Sequence, residues 1–170
     1  MLSDIHWLER LLMHMINLIT KELRLNILKN GFNDFSEELE KKLRFMADHI
    51  LVDQRKSKFT LNLKFISTSE MIKFNKDFRN KNLDTNVLSF KASEDAQKIS
   101  SELGDIVMSI PYIETESKNL NRDLEDHMMH LLAHGILHLL GFDHNKDQDA
   151  DTMEALEIKY LKNFNITNPY

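Results

Sequence analysis

HMMHLLAHGILHLLGFDH, residues 127–144, decides the reading of this chain. Between His127 and Phe142 no side chain other than histidine is formally charged, and apolar residues run nearly all round. That pattern predicts a helix buried in the middle of a domain instead of one lying on its surface. His127, His130, His134 and His138 follow one another at intervals of three, four and four residues, so they form one stripe along that helix. Buried ring nitrogens need partners, either hydrogen bonds or a metal.

Four residues is just over one helical turn, so His134 and His138 project side by side, where two imidazoles can reach one ion at roughly 2.0–2.1 Å each. Gly141 suits an abrupt helix end, after which the chain can fold back and deliver His144 to the same ion. The 170 residues contain no cysteine, which excludes disulfides and thiolate metal sites. Three imidazoles leave a fourth position open to water, the arrangement of a catalytic zinc site and not a structural one. His127 and His130 read as hydrogen-bonded wall residues or as partners behind the ligands. Asp143 either orients a ligand histidine or caps the loop.

The spacing H-x-x-x-H-x-x-G-x-x-H matches that of metzincin peptidases, in which Glu follows the first histidine as general base. Here that position is Gly135, which disfavours peptide hydrolysis. A zinc ion lowers the pKa of bound water to about 7 without a carboxylate base, so a phosphodiester substrate fits better. Phosphate chemistry needs a cation, and the guanidinium fork of Arg79, at the end of a helix in the basic half of the chain, suits it.

Outward from the histidine helix, the pattern is of strands and helices alternating early and helices dominating late, which favours a small mixed sheet covered by helices. Leu2–Leu18 has the spacing of an amphipathic helix, and Leu23, Leu25 and Ile27 alternate as a first strand stopping near Asn30-Gly31. Asp34 is placed to cap a helix carrying Phe35, Leu39, Leu43, Met46 and Ile50 on one side. Phe59, Leu61, Leu63 and Phe65 alternate as a strand with one buried face. Ser67 and Glu70 form a capping box that opens a helix ending near Arg79. Short strands are expected at Asn86–Phe90 and Leu103–Ile110, separated by a charged, Ser-rich connection over 92–102. Pro111 suits the first turn of a helix, and further helices are expected over Leu124–Leu140 and Asp149–Phe164.

The net charge is −5, but it is unevenly spread. Residues 55–81 hold eight basic side chains against two acidic ones, whereas residues 101–170 hold five against thirteen. Local field matters more than the total for steering a polyanion. The first twenty residues contain Asp4, Glu9 and Arg10 and do not read as a signal peptide, and nowhere do about eighteen uncharged apolar residues run together. A soluble, cytoplasmic protein is expected, a single domain over 1–170 with residues 1–20 as an N-terminal helical extension.

The segments HGILHLLGFDH at 134–144, FRNKNLDTNVLSF at 78–90, LGDIVMS at 103–109 and MEALE at 153–157 resemble, in order, those of the bacterial YbeY family. The resemblance runs from about Leu23 to Asn168-Pro169-Tyr170. It implies an α+β fold, with a mixed four-stranded sheet flanked by helices and a zincin-like ligand helix in the core. It implies a zinc-dependent endoribonuclease of single-stranded RNA that matures the 3′ end of small-subunit ribosomal RNA and serves ribosome quality control. It implies one Zn2+ on His134, His138 and His144 plus water, and makes Arg79 the phosphate-binding, catalytic residue; His134 is read as catalytic beside it, with His130 and Asp143 as the candidates for a place behind the ligands. Single-stranded RNA, small-subunit ribosomal RNA and a small-subunit ribosomal protein are the implied partners. Two departures stand out: Phe142 where the family commonly has Tyr, and Lys91 where it commonly has Pro. The alternatives are a ribosome-assembly factor with a structural metal that does not cut, and a zinc hydrolase of another substrate class.

Overall fold

The computed structural model describes residues 24–170. The helix expected at Leu2–Leu18, and Leu23 of the first strand, lie outside the described residues. The described chain forms β1 (Leu25–Leu28), α1 (Glu37–Asp53), β2 (Thr60–Ile66), α2 (Thr68–Arg79), β3 (Val87–Lys91), α3 (Glu94–Ser100), β4 (Glu102–Ser109), α4 (Ile110–Asn119), α5 (Leu124–Leu140) and α6 (Asp147–Lys162). The strands make one sheet in the order β1-β2-β4-β3, with β1, β2 and β4 parallel and the edge strand β3 antiparallel to β4. The fold is α+β with a mixed four-stranded sheet, as the sequence predicts.

Alternation in β2 sends Leu61, Leu63 and Phe65 to one face, where they join Ile106 and Met108 of β4, Leu43, Met46 and Ile50 of α1, and Leu132, Ile136 and Leu139 of α5 in one buried cluster. Each such side chain contributes about 1.5–3 kcal/mol by leaving water. The opposite face is thinner. There α2 covers a small cluster of Ile66, Met71, Leu88 and Val107. Beyond it the face is polar: the Asn62 amide donates to Asp105 at 2.8 Å and to Glu102 at 2.9 Å.

The capping box is formed, with the Ser67 hydroxyl accepting from the Glu70 amide and the Glu70 carboxylate accepting from the Ser67 amide at 3.0 Å. At α1 the cap is Ser36 and not Asp34, because it is the Ser36 hydroxyl that meets the Leu39 amide, at 3.1 Å. The connection over 92–102 carries α3, which Ser93 opens by accepting from the Ala96 amide at 3.2 Å. The last helix starts at Asp147, two residues before the expected Asp149.

Helix α5 is the centre of the molecule, packed against α1, α4, α6, β3 and β4. It ends at Gly141, in the left-handed region at φ 100°, where the Gly141 amide donates to the His138 carbonyl and the Phe142 amide to the Leu137 carbonyl, each at 3.0 Å. A residue with a Cβ would strain that reversal. Gly135 has a different cause: a Cβ there would stand 2.9 Å from Ile106 Cδ1 and 3.1 Å from Ser89 Oγ. The helix lies against the sheet at this point, and a glutamate would have to displace the Ile106 and Ser89 side chains.

Candidate metal centre

The turn at Gly141 brings three histidines together. One ligand atom from each of His134, His138 and His144 lies within 4.8 Å of the others. His134 Nε2 and His138 Nε2 face each other at 3.0 Å. Each ring is held from behind: His134 Nδ1 lies 2.9 Å from Glu157 Oε1, and His138 Nδ1 lies 3.0 Å from the Phe142 carbonyl oxygen. Both partners only accept, so both Nδ1 atoms carry the proton and both Nε2 lone pairs point at one another. Two facing lone pairs repel unless a proton or a metal cation sits between them. Tetrahedral ligation at roughly 2.0–2.1 Å would need nitrogens about 3.3 Å apart, a few tenths of an ångström more than is observed. Burial, reinforced by the neighbouring His134, pushes the His138 pKa below its ordinary value, against the pull of the Phe142 carbonyl. Neutral imidazole is the ligating form, and the donor set fits an imidazole-binding divalent ion.

Glu157 is the side chain that sequence reasoning did not single out. It comes from α6, is fully buried, and its two oxygens serve three donors. Oε1 faces His134 Nδ1; Oε2 meets His130 Nε2 at 2.7 Å and the Tyr170 hydroxyl at 2.5 Å. Burial pushes its pKa up, but the hydrogen bonds from His130, His134 and Tyr170 outweigh it and bring the carboxyl down to about 2. Burial and the bond to Glu157 raise the Tyr170 pKa, so the phenol stays protonated and donates. The sequence does carry a signal for Glu157: Met153, Glu157, Tyr160 and Leu161 make the inward stripe of α6, and a carboxylate on such a stripe needs partners.

His130 lies behind the trio, on Glu157, and edges onto the Tyr170 ring at 5.7 Å between centroids. His127 pairs with Glu116 at 2.7 Å, one turn further from the trio. Asp143 turns into its own loop, accepting from the His144 amide at 2.8 Å and from the Asn145 side chain. Phe142 acts through its backbone carbonyl, so the hydroxyl that tyrosine would add there has no part in holding His138. Arg79 is the exposed last residue of α2, and its side chain has no hydrogen bond or ion pair with another described residue. A cavity of about 260 Å³ opens beside His134, between Asn86 and Val87 at the start of β3, Glu116, His130 and Tyr170.

A four-stranded mixed sheet backing a buried helix that offers two histidines one turn apart, with a third from the next loop, defines the zincin-like class of metal-site folds. Comparison with known proteins narrows this. The family Endoribonuclease YbeY matches residues 26–165, and the chain belongs to that family. Proteins named Endoribonuclease YbeY from Francisella tularensis subsp. novicida (strain U112) and subsp. tularensis (strain SCHU S4) are 44% identical over 115 residues, covering 65% of this chain and 70% and 68% of theirs. The solution structure of TM1509 from Thermotoga maritima is similar at a TM-score of 0.59 and 26% identity, over 81% of this chain and 87% of that one. No helix among the described residues is long and apolar enough to cross a membrane.

Proposed function

We propose that this chain is a metal-dependent endoribonuclease that cuts single-stranded RNA, and that it acts in the cytoplasm as a single domain in maturation of the small-subunit ribosomal RNA 3′ end and in ribosome quality control. The observation that carries the reading is the pair of facing Nε2 atoms 3.0 Å apart, each fixed from behind, in a chain of the YbeY family. We assign His134, His138 and His144 as ligands of one Zn2+, with His134 belonging to the catalytic machinery. The ion, when bound, would supply an acidified water and charge for a phosphoryl oxygen.

The protein's own residues have separate tasks. Glu157 and the Phe142 carbonyl fix the two rings so that their lone pairs converge. Arg79, with five donors and no competing carboxylate among the described residues, stabilises the extra negative charge of a pentacoordinate phosphate. His130 and Asp143 support the ligands from behind, His130 through the shared Glu157 and Asp143 by setting the loop that carries His144. The absence of a glutamate after His134 leaves no carboxylate there to repel a phosphate, whatever the packing reason for Gly135.

The test is a single-turnover assay on single-stranded ribosomal RNA, with and without chelator, combined with metal analysis. His138→Ala should lose bound metal and cleavage together. Arg79→Ala should keep its metal and lose about 10²–10³-fold in cleavage rate, the cost of removing one charge-stabilising donor. Cleavage by Arg79→Ala at the parent rate, or cleavage by the parent that resists chelation, would overturn these assignments.

A further inference from the structure

On the sheet face away from α5, three phenylalanines meet. Phe74 and Phe78 lie one turn apart on α2, with ring centroids 6.0 Å apart and planes inclined by 17°. Phe90 of β3 closes against both, at 6.0 Å from Phe74 and 4.9 Å from Phe78. Phe74 and Phe90 are half-buried on the small cluster of that face, while Phe78 is 64% exposed. An exposed ring backed by two others is held in place, so presenting it to a ligand costs little further ordering.

One cation touches the cluster, and others neighbour it in the sequence. Lys64 Nζ lies 5.9 Å from the Phe74 centroid, and Arg79 directly follows Phe78. Between Lys64 and Lys91 there are six basic residues and three acidic ones. Lys73, Lys76, Arg79 and Lys81 form no ion pair with another described residue, so their charge is uncommitted. The edge strand β3 links the patch to the histidine helix, which lies against its other face. Phe90 follows Ser89, whose Oγ lies 3.1 Å from the point a Cβ on Gly135 would occupy, and Gly135 follows His134.

We propose that Phe78, backed by Phe74 and Phe90, is a stacking platform for a base of single-stranded RNA, with Arg79 and the neighbouring lysines holding the flanking phosphates. A flat aromatic face on a segment with a surplus of unpaired cations is complementary to a polyanion with exposed π-faces, and only an unpaired strand offers such a face. A protein partner of the same patch would need acidic groups around an apolar centre. The proposal rests on the reading of the chain as a nuclease of single-stranded RNA.

The test is fluorescence anisotropy with a labelled, unstructured RNA oligonucleotide in EDTA, so that binding is read without metal or cleavage. Base stacking on an aromatic side chain is worth about 1–3 kcal/mol, so Phe78→Ala should weaken binding about tenfold. Phe78→Leu, which keeps apolar area but has no π-face, should weaken it comparably. Phe78→Trp should bind within about twofold of the parent, and in a Trp7→Phe background, where it is the sole tryptophan, its emission should be quenched by RNA. RNA affinity in Phe78→Ala within about twofold of the parent overturns the platform, as does Trp emission indifferent to RNA. A parent that binds RNA but does not cleave it when loaded with metal would sink the nuclease reading and leave the binding result standing.

Discussion

Helix α6 takes part in two carboxylate–tyrosine pairs that share their chemistry and little else. At one, Tyr160 on α6 donates to Asp53 at the end of α1 at 2.6 Å, and Lys159 donates to the same oxygen at 2.7 Å. At the other, Tyr170 donates to Glu157 on α6 at 2.5 Å. Asp53 keeps 33% of its side chain in water and has its own cation; Glu157 keeps 1% and is met only by two neutral-capable rings and a phenol. A carboxylate buried for stability is normally balanced by a fixed charge. Asp53 is balanced, whereas Glu157 has no lysine or arginine against it among the described residues; on the reading proposed above, its charge answers that of an ion on His134. The pair at Asp53 ties two helices together; the pair at Glu157 fixes the ring of His134.

Replacing the two carboxylates in turn gives the largest contrast. Glu157→Gln should weaken metal binding about 10–100-fold, the usual cost of losing a carboxylate behind a ligating histidine, as read by competition with a chromophoric chelator. Asp53→Asn should leave metal affinity where it was and lower only the melting temperature. Equal metal affinity in parent and Glu157→Gln would reduce Glu157 to a packing residue and erase the distinction.

Acid should separate the pairs next. Glu157 has its pKa brought from 4.5 to about 2 on folding, so the unfolded chain binds its proton first. The stability it contributes is present above pH 4.5 and is lost as pH falls from there towards 2. Asp53 is also lowered, first by the bond from Lys159 and then by that from Tyr160, and its contribution is likewise lost on acidification below its ordinary 3.8. Being partly in water, it contributes less. Melting temperatures of metal-free protein between pH 6 and 3, about the window of these shifts, should therefore fall less steeply in Glu157→Gln than in Asp53→Asn. The opposite order would contradict the burial argument.

Much of this arrangement is written locally in the sequence. The bounds of α5, the alternation in β2 and the capping box at Ser67 follow from spacing and from side chains within four residues of one another, and so does the meeting of His134 and His138. Strand order is not written that way, because β2 and β4 are neighbours across an intervening β3 and no local pattern encodes which parallel partner a strand takes. Glu157 is legible only in part: its place on the inward stripe of α6 marks it as anomalous, but that it faces His134, 23 residues away, depends on how α6 docks on α5. Tyr170 follows irregular chain and carries no periodic signal. Gly135 reads in the sequence as a missing general base; in the fold it is first the point where α5 touches Ile106 and Ser89.

Removing one oxygen from each tyrosine should give the smallest effect and the finest discrimination. Tyr160→Phe takes from Asp53 one of its donors and leaves the Gln54 amide, 2.7 Å from the lost hydroxyl, without that acceptor. The cost should be about 1 kcal/mol of stability, seen as a lowered melting temperature, with no change in metal affinity. Tyr170→Phe leaves Glu157 with both histidines but frees the side of Oε2 that the phenol held. The carboxylate can then rotate, and His134 Nδ1 loses a fixed acceptor and not the acceptor itself. Metal affinity should fall only about threefold to tenfold, less than for Glu157→Gln, and the melting temperature of metal-free protein should fall at least as far as in Tyr160→Phe, because the lost bond served a fully buried carboxylate. Metal affinity, unchanged in Tyr160→Phe, thus separates the two variants. If Tyr170→Phe is destabilised but binds metal like the parent, its hydroxyl merely fastens Tyr170 to α6, and the two pairs are alike after all.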